Sequence, residues 1–216
     1  MRENRYIAVA GNMGVGKSTL VQFLTQQFQG EPFYEPVDTN PYFARFFKDM
    51  RKWAFHSQIY FLTHKFRIHQ AIEKRPGLVV IDRSIYEDAE IFAKGLYKAK
   101  KMSKDDFNLY WDLYESMCQT LRPPDLLIYL TCSMKTLKKR IRERGRKAEK
   151  HVPDSHLRRL QRAYDDWIKR VDFCEVVHIK TDELDYVGDL VHRADVIEKQ
   201  AQKDAQELNS ARVQVQ

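Results

Sequence analysis

The sequence predicts a single α/β domain, a three-layer sandwich in which a parallel sheet of about five strands carries helices on both faces. Three observations predict it. Continuous apolar runs at residues 6–10, 78–82, 125–130 and 175–179 read as short strands buried on both sides. Longer stretches with helical spacing separate them. Directly after the first run, Gly11, four residues, then Gly16-Lys17-Ser18 gives the spacing of a phosphate-binding loop at a strand-to-helix junction. At 216 residues the chain is long enough to bury one full core.

Composition narrows the class further. No apolar leader precedes the first strand, and no run of about eighteen apolar residues occurs, so a soluble, cytoplasmic protein is expected. Cys118, Cys132 and Cys174 are odd in number and lack metal-type spacing. Reduced structural thiols fit better than a disulfide framework or a zinc site. The formal net charge of +7 suits an anionic partner, nucleotide or nucleic acid.

In the loop Gly11-Asn12-Met13-Gly14-Val15-Gly16-Lys17-Ser18-Thr19, glycines let backbone N–H groups turn inward around phosphate oxygens. Lys17 reaches the β/γ-phosphates and the Ser18 hydroxyl ligates Mg²⁺. The helix beginning at Lys17 adds its positive end. A nucleoside triphosphate is the ligand this arrangement implies.

Residues 32–37 read as a short strand stopped by proline, which sets Glu35 at its carboxyl end beside the loop if the strands are parallel. From Glu31 to Tyr42 the charged residues are Glu31, Glu35 and Asp38, with no Arg or Lys. An acceptor that is itself a phosphate would need arginines, whereas a hydroxyl acceptor benefits from a carboxylate that takes its proton. This edge therefore favours a neutral hydroxyl.

Asn40-Pro41 opens a short aromatic helix, residues 41–48, and residues 50–73 form a longer one that ends before Pro76-Gly77. Phe55, Ile59, Leu62 and Phe66 mark its expected buried face. Gln58 and Lys65, seven apart, fall near one line along it, and a glutamine amide can pair with the edge of a base. The next apolar run ends in Asp82, placed to hold Mg²⁺, followed by Arg83, which can steady a transferring phosphoryl group or fix a catalytic carboxylate.

Helices are expected at 86–97 and 104–121, the second apolar on more than one face and so buried in the core or against another subunit. Ser133 caps a helix running toward Arg146. Between Lys135 and Lys150 the basic residues include Arg140, Arg144 and Arg146, and Gly145 with Pro153 brackets a segment, about 144–153, that reads as a lid. A nucleic-acid surface is the rival reading of this run, but it lacks interleaved aromatics. Helices at 153–171 and 185–197 complete the domain, residues 1–200, before a polar tail at 201–216 expected to be disordered.

Taken together, Gly11 to Thr19, Glu35-Pro36-Val37, Phe55-His56-Ser57-Gln58, Asp82-Arg83-Ser84-Ile85-Tyr86-Glu87-Asp88 and Arg144-Gly145-Arg146 with Glu149 resemble the deoxynucleoside kinase family, and within it the bacterial deoxyadenosine/deoxycytidine kinases. The resemblance runs in order over residues 6–179. It implies a P-loop kinase that uses ATP with Mg²⁺ to phosphorylate the 5′-hydroxyl of a deoxynucleoside, deoxyadenosine or deoxycytidine first and deoxyguanosine as a further candidate. By the same resemblance Glu35 is the general base, Arg83 contacts the 5′-oxygen and phosphates, and Asp82 lies near Mg²⁺. Gln58 pairs with the base, Asp88 reads its exocyclic group and Phe92 stacks on it. Arg140, Arg144 and Arg146 are lid arginines, and Glu149 holds the sugar 3′-hydroxyl.

A homodimer is implied, through the helix at 104–121, with neither nucleic acid nor membrane as partner. Phe47 stands where the family usually has a tyrosine for the 3′-hydroxyl, and Lys65 where relatives place arginine. Weaker discrimination at the 3′-position is therefore expected, since one neutral hydrogen bond is worth about 0.5–1.5 kcal/mol. The alternative is a nucleoside monophosphate kinase of the thymidylate kinase type, disfavoured by Glu35 and the absence of Arg near it.

Overall fold

A computed structural model describes residues 4–34, 39–145 and 152–182, and the account below concerns those residues. Five strands form one sheet in the order β2-β3-β1-β4-β5: β1 (Asn4–Gly11), β2 (Glu31–Phe33), β3 (Gly77–Asp82), β4 (Leu126–Thr131) and β5 (Glu175–Lys180). Every neighbouring pair is parallel. The chain first moves from β1 to one side of the sheet and later crosses to the other, so the carboxyl ends of β1, β3 and β4 form the crevice where such sheets bind ligands.

Strand periodicity divides the core in two. Tyr6, Ala8 and Ala10 of β1, Val79 and Ile81 of β3, and Leu127 and Tyr129 of β4 belong to one buried cluster. That cluster also contains Leu62 and Ile72 of α3 (Met50–Ile72), Ile85 of α4 (Ile85–Glu87), Tyr110 of α6 (Lys104–Cys118), and Tyr164 of α8 (Asp154–Ile168). The alternate residues Val9, Val80 and Ile128 are equally buried but stand outside it. So do Leu20, Val21 and Leu24 of α1 (Lys17–Gln27), which packs on β1, β2 and β3, and Leu137 and Ile141 of α7 (Met134–Arg144).

Several boundaries depart from the sequence reading. The helix expected at 86–97 is one run broken in the middle: α4, a π turn over Asp88–Ala93, then α5 (Lys94–Lys98). Insertions of this kind in helices concentrate at functional sites. Helix α7 ends at Arg144 rather than Arg146, because Gly145 adopts φ +67 and closes it. The expected stripe Phe55, Ile59, Leu62 and Phe66 packs against the core, with Phe55, Ile59 and Phe66 partly buried. Leu62 is buried, but the deepest face of α3 runs through Ala54, Ser57, Gln58, Phe61, Leu62, Lys65, His69 and Ile72. An apolar search misses that face because half of it is polar.

Helix α6 also differs. Tyr110 is its only fully buried residue, Trp111, Tyr114, Met117 and Cys118 are partly buried against the core, and Leu109 and Leu113 are 52% and 38% exposed in the single chain. The helix expected at 185–197, the tail and residues 146–151 of the expected lid lie outside the described residues.

Candidate active site

Three pieces of chain converge at the carboxyl end of the sheet. The first is the loop from Gly11 to Thr19. Gly11 has φ +143, and a Cβ there would lie 2.5 Å from the carbonyl oxygen of Leu130 in β4. Only glycine lets the loop leave the strand so close to its neighbour. Asn12, fully buried, donates from Nδ2 to the Leu157 carbonyl at the start of α8 (2.9 Å) and accepts from the Met13 N–H (2.9 Å). The Val15 carbonyl accepts from the Thr181 hydroxyl at 3.0 Å and from Arg140 Nη1 at 3.1 Å. Lys17 Nζ lies within the loop, donating to the carbonyls of Gly11 and Asn12 at 2.9 and 3.0 Å.

The second piece is the end of β3. Asp82 Oδ2 accepts from the Ser18 hydroxyl at 2.6 Å, and Oδ1 is buried with no hydrogen-bond partner among the described residues. Burial pushes the Asp82 carboxyl upward, but Lys17, Arg83, the Ser18 hydroxyl and Lys65 together hold it below the usual carboxylate range. An ionised carboxylate beside a serine hydroxyl suits a hard cation that takes its remaining ligands from water and phosphate.

Arg83 follows with φ +64, a left-handed backbone that costs a non-glycine residue about 1–3 kcal/mol. Three contacts hold it there. Its N–H donates to the Val9 carbonyl at 3.1 Å, and Lys65 Nζ donates to the carbonyls of Asp82 and Arg83 at 2.8 and 2.6 Å. One turn further along α3, His69 Nε2 accepts from the Ile85 N–H at 3.3 Å.

The third piece is the turn after Arg83. The Ser84 hydroxyl accepts from the Glu87 N–H and starts α4, which brings Glu87 back over Arg83. Arg83 Nε donates to Glu87 Oε1 at 3.2 Å, the Tyr164 hydroxyl of α8 donates to the same oxygen, and the Arg83 guanidinium carbon sits 4.7 Å from the Phe92 ring centre. Glu87 is fully buried. Burial raises its carboxyl above the ordinary value, opposed by Arg83, Lys17, the Tyr164 hydroxyl and Lys65.

The structure thus brings Gly11, Asn12, Met13, Gly14, Val15, Gly16, Lys17 and Ser18 together with Asp82 and Arg83, while Thr19 is exposed on the first turn of α1. Gln58 is buried on the same face of α3 as Lys65, its Oε1 with no hydrogen-bond partner among the described residues. Asp88 is buried at the head of the π turn. Glu35, Arg146 and Glu149 lie outside the described residues.

Five further residues named from the sequence are placed as follows. The Lys65 ammonium is fully buried and donates to two main-chain carbonyls. The Arg140 guanidinium braces Val15 and Thr181 (Nη2 to the Thr181 carbonyl, 2.6 Å). Phe92 presents its face to Arg83. Phe47 lies on α2 (Phe43–Lys48), 44% exposed and packed edge-on against Phe43 and Phe46. Arg144 is exposed at the end of α7.

Sequence reasoning missed Glu87, His69 and Tyr164. The one available signal was that Arg83 and Glu87 are four apart, the spacing of a helical ion pair.

Comparison with known proteins follows the same outline. The family described as deoxynucleoside kinase matches residues 7–203. The chain is 39% identical over 189 residues to the deoxyadenosine/deoxycytidine kinase of Bacillus subtilis, covering 87% of each. It is 34% identical over 201 residues to a deoxyguanosine kinase of Lactobacillus johnsonii, covering 88% of each. The structure of deoxyadenosine kinase from M. mycoides with bound dATP superposes with a TM-score of 0.77 at 30% identity, over 91% of this chain and 99% of that one.

Proposed function

The chain belongs to the deoxynucleoside kinase family, and from that premise we propose that it transfers the γ-phosphate of ATP to the 5′-hydroxyl of deoxyadenosine or deoxycytidine, with deoxyguanosine a further acceptor. The product is the 5′-monophosphate, so the role is salvage of deoxynucleosides. The observation that carries the acceptor is Gln58. A buried amide oxygen without a partner costs about 1–3 kcal/mol, and an amino group on a base edge satisfies it. Gln58 and Lys65 are two helical turns apart, about 10 Å along α3. One end of that face therefore meets the Asp82-Arg83 corner and the other suits a base, the scale of one nucleoside.

In this reading the loop N–H groups and Lys17 hold the donor phosphates. Ser18 and Asp82 would hold Mg²⁺, which would supply charge neutralisation at the phosphate oxygens. Glu35 takes the proton of the 5′-hydroxyl, and Arg83 steadies charge on the phosphoryl group in flight. Asp88 reads the exocyclic group of the base, while Arg144, Arg146 and Glu149 act from the lid. No helix among the described residues is long and apolar enough to cross a membrane. A cytoplasmic location, where ATP and deoxynucleosides meet, belongs to the same proposal, as does a homodimer through α6.

The test is phosphate transfer from ATP with Mg²⁺ to the four deoxynucleosides and to dTMP, run beside Glu35→Gln. Turnover of one or two deoxynucleosides that falls at least about a hundredfold in the variant is the expected result. Phosphorylation of dTMP with no deoxynucleoside turned over would install the monophosphate kinase reading instead.

A further inference from the structure

Helix α8 touches both halves of the site through residues seven apart. At its start, the Leu157 carbonyl receives the buried amide of Asn12 from the phosphate loop. Two turns later, Tyr164, also fully buried, donates its hydroxyl to Glu87 Oε1, the oxygen that receives Arg83 Nε. Residues at this spacing lie on one face of a helix. A rigid helix with one contact to the donor loop and one to the Arg83 pair fixes the distance between them.

The Arg83–Glu87 pair is not explained by stability. A largely buried ion pair gains little over apolar packing, because two charges must be taken out of water. Its geometry points to another use. The bond engages Nε, at the root of the guanidinium, and Phe92 covers the group 4.7 Å from its ring centre. Together these fix the plane of the guanidinium. The Tyr164 bond in turn fixes the carboxylate that does so.

We propose that Glu87 and Tyr164 are positioning residues for the phosphoryl-transfer step. They hold the Arg83 guanidinium in its working plane and tie it, through α8, to the loop that carries the donor phosphates. The inference rests on the role of Arg83 proposed above, and neither residue touches the reacting atoms.

The experiment is steady-state kinetics with ATP and the best deoxynucleoside acceptor on Glu87→Gln, Tyr164→Phe, Arg83→Lys and the double variant Arg83→Lys/Glu87→Gln. Each of Glu87→Gln and Tyr164→Phe is expected to lower kcat about tenfold, with KM for ATP held within about twofold. Adding Glu87→Gln to Arg83→Lys is expected to cost nothing more, since both act through one guanidinium. Tyr129→Phe removes another hydroxyl bonded to α8, through Asp165, and is expected to leave kcat unchanged.

Equal losses from Glu87→Gln in the wild-type and Arg83→Lys backgrounds would overturn the proposal, as would an unchanged kcat in Tyr164→Phe. A wild-type kcat in Arg83→Lys alone would strike at the role given to Arg83 itself, and is read separately from the pair. Should Glu87→Gln fail to fold, Tyr164→Phe carries the test, because it keeps the packed ring.

Discussion

Lys65 shows how a single side chain can look like one thing in sequence and be another in space. Its ammonium is completely buried and bonded to the carbonyls of Asp82 and Arg83, at the point where Arg83 takes a left-handed backbone. Charge-assisted hydrogen bonds are worth about 1.5–3 kcal/mol each, enough to offset the strain at Arg83. Lys65→Met keeps the length of the side chain and leaves both carbonyls without that donor. The expected outcome is a loss of about 3 kcal/mol in urea unfolding, together with reduced kcat. Four residues on, His69 accepts from the Ile85 N–H, and burial followed by the charge on Lys65 pushes its ring down to about 3. The unfolded ring titrates near 6.5, so between about pH 6.5 and 3 the unfolded chain binds the extra proton. Stability from this residue is therefore complete above about pH 6.5 and falls as pH drops toward 3, with a slope of up to about 1.4 kcal/mol per unit. Urea midpoints measured from pH 7 to 5 should show that slope, and His69→Gln should flatten it while keeping an acceptor near Ile85.

Among the elements, the strand-loop-helix at the amino end of the chain was the most legible, and its geometry explains why. The glycine spacing reports a backbone constraint: at Gly11 a Cβ would sit 2.5 Å from a main-chain oxygen of β4, with φ at +143. Backbone cannot step aside as a flexible side chain can. Gly11→Ala is therefore expected to destabilise the fold by at least about 2 kcal/mol and to weaken ATP binding, both measurable by thermal unfolding with and without the nucleotide. The parallel strands were legible for a similarly local reason, since continuous apolar runs such as Leu78-Val79-Val80-Ile81 leave few alternatives. Helix α3 was legible as a helix and in its apolar stripe, but not in its deepest face. Its buried line carries Ser57, Gln58, Lys65 and His69, and the partners of Lys65 and His69 come from β1, β3 and the turn after Arg83, which no local pattern announces. Glu87 escaped for the same reason. Its meaning lies in Tyr164, 77 residues away in sequence, and in a helical turn that begins only because Ser84 caps it. The π turn at Asp88–Ala93 has no sequence signature that the apolar spacing could reveal.

For the molecule as a whole, the surface of α6 remains to be accounted for. Its acidic first turn, Asp105 and Asp106 under the Ser103 cap, makes it a well-started helix; Tyr110 is its one fully buried residue, with Trp111, Tyr114, Met117 and Cys118 partly buried against the core. Leu109 and Leu113, one turn apart, are among the most exposed large apolar side chains of the described residues, while Trp111 and Tyr114 pack against the core. Scattered single apolar residues on a surface need no explanation, but a contiguous stripe on one helix usually meets a partner. A second copy of the chain is the partner proposed here, and a two-fold contact would bring the same stripe from each protomer together. Placing a charge in the middle of such a stripe opposes a like charge from the other copy across the axis. Leu109→Glu combined with Leu113→Glu is thus expected to give, in sedimentation equilibrium, the mass of one chain where the unaltered protein gives two. The pair of substitutions adds charge to an already exposed surface, so thermal unfolding of the separated chain should remain cooperative. A dimeric mass that survives both substitutions would move the interface away from α6, and a single-chain mass in the unaltered protein would remove the homodimer altogether.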